Sequence, residues 1–123
     1  MTNDLSETCM LILEYLWSRD TPAKFSEIMC HCIDKEGKNW KKQTINTFLS
    51  RLAKKGLVIV NKSHSKAEYF PALSREQYYQ QHAKKIVDES YHGSIKNFVC
   101  AFTGYQKLTN EEKNELLNYI ERL

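Results

Sequence analysis

Apolar residues recur at helical spacing through most of the chain, and shifts in that recurrence mark the elements. Leu5, Cys9, Ile12, Leu13 and Leu16 form one stripe, widened by Met10 and Trp17. Leu11 and Tyr15 fall on the far side. A first helix over about residues 6–18 is therefore apolar nearly all round and should be buried on two sides. Ser6 is placed to cap it. Thr21-Pro22 breaks the pattern. Ser26 then fits the N-cap of a short second helix, about 26–34, with Ile28, Met29, Cys32 and Ile33 inward. Gly37 marks a turn. From Trp40 to Gly56 the two-sidedness is strongest. Ile45, Phe48, Leu49, Leu52 and Ala53 fall at i, i+3, i+4, i+7 and i+8, while Gln43, Thr47, Ser50 and Lys54 lie opposite, flanked by Thr44, Asn46 and Arg51. Gly56 follows two lysines and reads as the C-terminal stop.

After Gly56 the period drops to two. Leu57–Val60 and Ala67–Phe70 read as strands around a polar basic loop, Asn61 to Lys66, with Pro71 closing the hairpin. Three helices followed by a hairpin with a basic tip spell a winged helix-turn-helix. Helical spacing then resumes. Ser74 caps a long fourth helix, about 74–92, whose stripe is Tyr79, Ala83, Ile86 and Ser90, flanked by His82 and Val87. Gly93 interrupts. Ile95, Phe98, Val99 and Phe102 predict a short fifth helix, ended by Gly104. Thr109 with Glu112 makes a capping box for a sixth, with Leu116, Leu117, Ile120 and Leu123 apolar.

The expected fold is mostly α with a small β-hairpin. A winged helix spans residues 1–73 and a three-helix region spans 74–123. The second region is too short and too apolar to be stable alone. Folded onto the winged helix it would be ordinary core; the favoured reading is that pairing with a second copy covers it, through Tyr79, Ala83, Ile86, Val87, Ile95, Phe98, Phe102, Leu116 and Ile120. Tyr78 and Tyr91 read as further interface aromatics.

The net charge of +3 changes little, but its placement changes much. Residues 74–123 carry 7 cations against 7 anions. Residues 37–67 hold Lys38, Lys41, Lys42, Arg51, Lys54, Lys55, Lys62 and Lys66 and no acid at all. An acid-free window centred on an amphipathic helix is an electrostatic footprint for a polyanion. Groove binding by that helix assigns DNA contact to Lys42, Gln43, Thr44, Asn46, Thr47 and Arg51. Gln43 and Asn46 suit base edges, because an amide can bond adenine in two places. Thr44, Thr47, Arg51 and Lys42 suit phosphates, and Lys54, Lys55, Lys62 and Lys66 add salt-sensitive attraction. Trp40 reads as a packing plug at the helix start. The runner-up reading is a winged-helix protein–protein module without DNA binding, and the acid-free window argues against it.

Other chemistries find little footing. No apolar run approaches the roughly 20 residues of a membrane span, so no membrane insertion is expected. The opening MTNDLSE is neither basic nor followed by an apolar block, which points to the cytoplasm. Cys30-His31-Cys32 resembles a metal pair, but positions i and i+2 on a helix point about 200° apart and cannot chelate one ion. The adjacent Cys30 and His31 diverge by about 100° and cannot form a catalytic dyad. Cys9 reads as a small buried residue. The chain lacks a Gly-rich phosphate loop, HExxH and GxSxG. No catalytic residue, metal site or cofactor is expected.

Several of these residues together resemble a known family. Leu5-Ser6 with Trp17 is similar to the opening helix of the penicillinase-repressor family, the BlaI/MecI/CopY group of winged-helix regulators. Trp40, Thr44-Ile45, Thr47, Arg51-Leu52 and Lys54-Lys55-Gly56 resemble its helix-three signature, W-x-x-x-T-(V/I)-x-T-x-(L/I)-x-R-L-x-K-K-G. Tyr69-Phe70 and the appended helices follow the same order. The resemblance implies a bacterial homodimeric repressor of a resistance or copper-homeostasis operon, bound to a palindromic operator. In the β-lactam branch it implies a membrane sensor protease pathway that cuts the fifth helix between Asn and Phe. In the copper branch it implies a C-terminal Cys-x-Cys metal site. This chain departs from both. The aligned cleavage position reads Ala101-Phe102, and Asn97-Phe98 lies four residues earlier. No Cys-x-Cys stands near the C-terminus. Cys100, beside that bond, reads as a buried small residue.

Overall fold

The computed structural model describes residues 7–63 and 65–123. Leu5, Ser6 and the proposed cap of the first helix lie outside the described residues, as does His64 in the hairpin loop. The element order is α1 (Glu7–Trp17), β1 (Ala23–Lys24), α2 (Phe25–Cys30), a π-helical turn (His31–Lys35), α3 (Lys42–Lys54), β2 (Val58–Asn61), β3 (Glu68–Pro71), α4 (Arg75–Ser90), α5 (Ile95–Tyr105) and α6 (Asn110–Arg122). This is a mostly α chain carrying a small antiparallel sheet. It divides into two compact units, residues 1–80 and 81–123.

The first unit is built around one core. α1 contributes Cys9, Ile12, Leu13 and Leu16, joined by Ala23, Ile28, Cys32, Ile45, Leu49, Leu52 and Val58. Each of these is at most 3% exposed, so together they form a dry centre under all three helices and the sheet. The far side of α1 is partly covered as well. Tyr15 stacks on His31 with ring centroids 4.2 Å apart. Trp17 donates its indole N–H to the Leu73 carbonyl at 2.8 Å and lies 5.5 Å from the Tyr78 ring. Arg75 pairs with Glu14 and lies over the Trp17 ring. The first turn of α4 is thereby docked onto α1.

The hairpin is present, but the sheet has a third strand. Its order is β1-β3-β2, all antiparallel. Val58 pairs with Pro71 and Asn61 with Glu68 on one side of β3. Ala23 pairs with Tyr69 on the other. Pro71 is the last residue of β3 rather than a residue beyond it. Proline tolerates that place because its missing N–H falls at a strand end.

The second helix departs most from its expected course. Ser26 is not its cap; the helix starts one residue earlier, and extended Lys24 takes the N-cap position. Glu27 reaches back to accept the Lys24 backbone N–H at 2.8 Å, and Arg19 pairs with the same carboxylate. Glu27 thus loses its proton more readily than usual, chiefly through the Lys24 backbone bond and secondarily through Arg19. Pairing of β1 with β3 holds Lys24 extended, so the helix cannot wait for Ser26. The α-pattern then widens into the π turn, where Glu36 N–H bonds His31 O at 3.2 Å. That wider turn keeps Cys32 in the core but leaves Ile33 at the surface, against expectation. Burial, and secondarily the charge of Glu36, pushes the Cys32 thiol pKa up.

α4 starts where expected, after Ser74. The Ser74 hydroxyl accepts from Gln77 N–H at 3.1 Å, and the Gln77 side chain accepts from Ser74 N–H at 3.0 Å, a reciprocal capping box. α4 ends at Ser90, and the chain reverses through His92 and Gly93, both at positive φ. In the second unit, Ser94 caps α5 through Asn97 N–H at 3.0 Å. Gly104 does not end α5. It lacks the left-handed φ of a glycine stop, and the helix runs to Tyr105 before Gln106 turns extended. Thr109 and Glu112 form the expected capping box on α6, with bonds of 3.0 and 2.9 Å. Every cap is in place, yet no described residue of 81–123 is buried.

Candidate nucleic-acid interface

α3 is the sequence feature most directly realised. Ile45, Leu49 and Leu52 anchor it in the core, with Phe48 and Ala53 half-buried beside them. Its start is later than expected. Lys41 is extended (φ −84°, ψ 162°), so Lys42 is the first helical residue and Trp40 precedes the helix. Trp40 folds back instead and meets the Phe48 ring edge-on at 5.5 Å. Its role as a packing plug therefore stands, from outside the helix.

The C-terminal end is closed by two backbone bonds. Leu57 N–H reaches Leu52 O at 2.9 Å, and Gly56 N–H reaches Ala53 O at 3.0 Å. This is a Schellman motif, with Gly56 at φ +76°. It turns the chain out of α3 and directly into β2, so one short link joins the helix to the wing.

The sequence-assigned residues sort cleanly on this frame. Lys42, Gln43, Asn46, Thr47, Arg51, Lys54 and Lys55 are exposed, and Thr44 is half-buried. The Thr47 hydroxyl donates to Gln43 O at 2.9 Å, one turn back. Lys62 and Lys66 are exposed in the loop between β2 and β3. At the loop entrance, Asn61 Oδ1 accepts from Ser63 N–H at 3.0 Å and from Ser63 Oγ at 2.7 Å. Among the described residues, none of Lys42, Arg51, Lys54, Lys55, Lys62 and Lys66 sits in an ion pair. Their charge is uncompensated by near neighbours, as a surface facing a polyanion requires.

Two features escaped sequence reading. β1 sets exposed Lys24 beside Glu68 at the loop end of the wing hairpin. A two-residue strand carries no periodicity, so no sequence signal announced it. Phe48 also presents its ring to Arg51, whose guanidinium carbon stands 5.7 Å from the ring centroid. The i, i+3 spacing allows that contact, but the apolar stripe identifies Phe48 only as core.

The residues assigned to pairing lie elsewhere. Tyr79 belongs to the first unit, 6.2 Å from the Trp17 ring. Ala83, Ile86, Ile95, Phe98, Phe102, Leu116 and Ile120 are exposed and Val87 is half-buried. Ile95 is 69% exposed and Ile120 52%. Ala101 and Phe102 sit inside α5, both exposed. Cys100 is exposed as well, contrary to expectation. Cys30, also exposed, bonds Asp34 at 3.0 Å, whereas Cys32 is buried. Among the described residues no cluster of three His, Cys, Asp or Glu side chains could hold a metal ion.

The family model described as penicillinase repressor matches residues 5–122. The chain belongs to the penicillinase-repressor family. Curated members resemble it at moderate identity. The penicillinase repressor of Bacillus licheniformis is 27% identical over 120 residues, covering 95% of this chain and 89% of that protein. The methicillin resistance regulatory protein MecI of Staphylococcus aureus is 26% identical over 85 residues, 69% of each chain. Its counterpart in Mammaliicoccus sciuri is 25% identical over the same length and coverage. The family match takes in both units, so the exposed apolar helices are as much a part of the repressor family as the winged helix. No described helix is long and apolar enough to cross a membrane.

Proposed function

We propose that this chain is a cytoplasmic transcriptional repressor that binds a palindromic operator in double-stranded DNA as a homodimer. The observation that carries the reading is the outer face of α3. It is exposed, free of carboxylates and continuous in chain with a basic wing. α3 enters the major groove, where Gln43 and Asn46 meet base edges. Lys42, Thr44, Thr47 and Arg51 hold phosphates, and Lys54, Lys55, Lys62 and Lys66 strengthen the encounter in a salt-dependent way. Residues 81–123 support the homodimer, since a face carrying Ile95, Phe102, Leu116 and Ile120 at this exposure calls for cover. A single winged helix reads few bases, and twofold pairing doubles the site. Residues 1–73 form the DNA-binding domain in this reading, and residues 74–123 the pairing domain.

The names borne by relatives point to a resistance or stress operon as the target. Release follows an upstream signal: proteolysis within α5, at or near Ala101-Phe102 and set off by a membrane sensor protease, or binding of a ligand or metal. No catalytic role is assigned to the chain. DNA selected by the full-length protein from a random pool tests the reading. The expected result is a twofold-symmetric footprint with half-sites about one helical turn apart. Arg51→Ala should lower the slope of log K against log salt by ~1. A footprint on one asymmetric site would refute the dimer, and an unchanged slope would remove Arg51 from the phosphate contacts.

A further inference from the structure

Arg51 is the one arginine in the exposed face of α3, and its surroundings are unusual for a surface cation. Its guanidinium carbon lies 5.7 Å from the Phe48 centroid. Phe48 is itself held by the Trp40 ring, 5.5 Å away and inclined at 62°. Trp40 and Phe48 are both half-buried against the core formed by Ile45, Leu49 and Leu52. Trp40 and Phe48 thus pack on the core side by side, and Arg51 lies beyond Phe48 at the solvent boundary. Among the described residues Arg51 meets no carboxylate that would hold it in another direction.

We infer that Phe48, braced by Trp40, is a positioning residue for Arg51, presenting its guanidinium to the nucleic acid. This rests on the DNA reading above and deepens it. A free arginine side chain populates many rotamers and loses that freedom on binding. A guanidinium lying against a ring is restricted before binding, while its N–H fork stays free for phosphate or base oxygens. The Phe48 ring thus does two jobs: one side completes the core, and its face sets the approach of the cation.

A double-mutant cycle tests the inference. The probe is the duplex that the full-length wild-type protein selects, and thermal midpoints are recorded beside every affinity. Phe48→Leu keeps the core filled and removes the ring. It should weaken binding roughly two- to fivefold, the worth of one exposed cation–ring contact. In an Arg51→Ala background the same change should have no further effect. Phe48→Tyr, which keeps the face, should bind like wild type. Equal penalties for Phe48→Leu in both backgrounds would overturn the role, since a merely structural residue acts regardless of Arg51. Should Phe48→Leu fold poorly, the Arg51 side-chain resonances of the unliganded wild type take over. An upfield ring-current shift that diminishes in Trp40→Leu supports the stack, and its absence overturns it. Failure of the wild-type protein to select any duplex would remove the DNA reading and this role together. Intact binding with additive penalties would remove this role alone.

Discussion

The two units follow the same local rules and end in opposite states. In residues 1–80 the helical stripes close on one another, and all eleven of the buried apolar residues named above lie between Cys9 and Val58. In residues 81–123 the stripes are just as regular and the caps as complete. Ser94 and Thr109 satisfy their helix starts, yet Phe102 is 46% exposed and Leu117 51%. Hydrogen bonding within a helix and burial of its apolar face are separate achievements. The first unit has both. Among its described residues the second has the bonds alone.

The sharpest way to break this contrast is to truncate side chains on each side and vary protein concentration. Leu52→Ala, deep in the first core, should cost ~2–5 kcal/mol in denaturant unfolding, at any protein concentration. A cost that shrinks at high concentration would mean that the first core also depends on a partner. Phe102→Glu should leave the first unit folded while dissociating the proposed dimer. The loss of a large interface aromatic, about 2 kcal/mol or more, should shift the association midpoint roughly 30-fold or further. Sedimentation that stays unchanged would show that α5 is not the covered face. Gly56→Ala sharpens a narrower point. Its Cβ would meet nothing within 4 Å, so the cost is the left-handed backbone alone, ~1–2 kcal/mol. A cost near zero would mean the chain leaves α3 by another path.

The smallest effect concerns pH. The Glu27 carboxylate has a folded pKa below its ordinary 4.5 because of the Lys24 N–H bond and Arg19. A lowered folded value means stability that is present above the ordinary carboxylate range and is lost as pH falls through the folded value. Glu27→Gln, which mimics the protonated acid, should flatten that acid limb by slightly lowering stability at neutral pH while leaving it little changed in acid. A limb of unchanged steepness would assign it to other carboxylates.

Legibility followed the same divide. The stripe of Ile45, Leu49 and Leu52, the glycine stop at Gly56, the hairpin and the caps at Ser74 and Thr109 could all be read, because each depends on neighbours close in sequence. Ser26 and Gly104 misled for the complementary reason. Ser26 is a good cap, but pairing of β1 with a strand far along the chain decides where α2 starts. Gly104 could stop a helix, but nothing in α5 demands a left-handed residue there. Periodicity also told which residues share a face in α4, α5 and α6 without telling what that face meets. On α3 the charged and amide positions were legible from helical spacing and the acid-free window. The Phe48–Arg51 contact was not, because a residue counted as core is seldom asked what its other side does.

The third strand has a consequence for how the first unit assembles in time. The hairpin of β2 and β3 closes a short loop, and an isolated hairpin forms within microseconds. β1 must bring residues 23–24 to residues 68–69 across everything that lies between them. Two residues cannot pay that closure entropy by themselves. β1 should therefore join last, once α2 and α3 have collapsed onto α1. Exchange protection at the Ala23–Tyr69 pairing would then report completion of the whole unit, while protection within the hairpin would appear earlier.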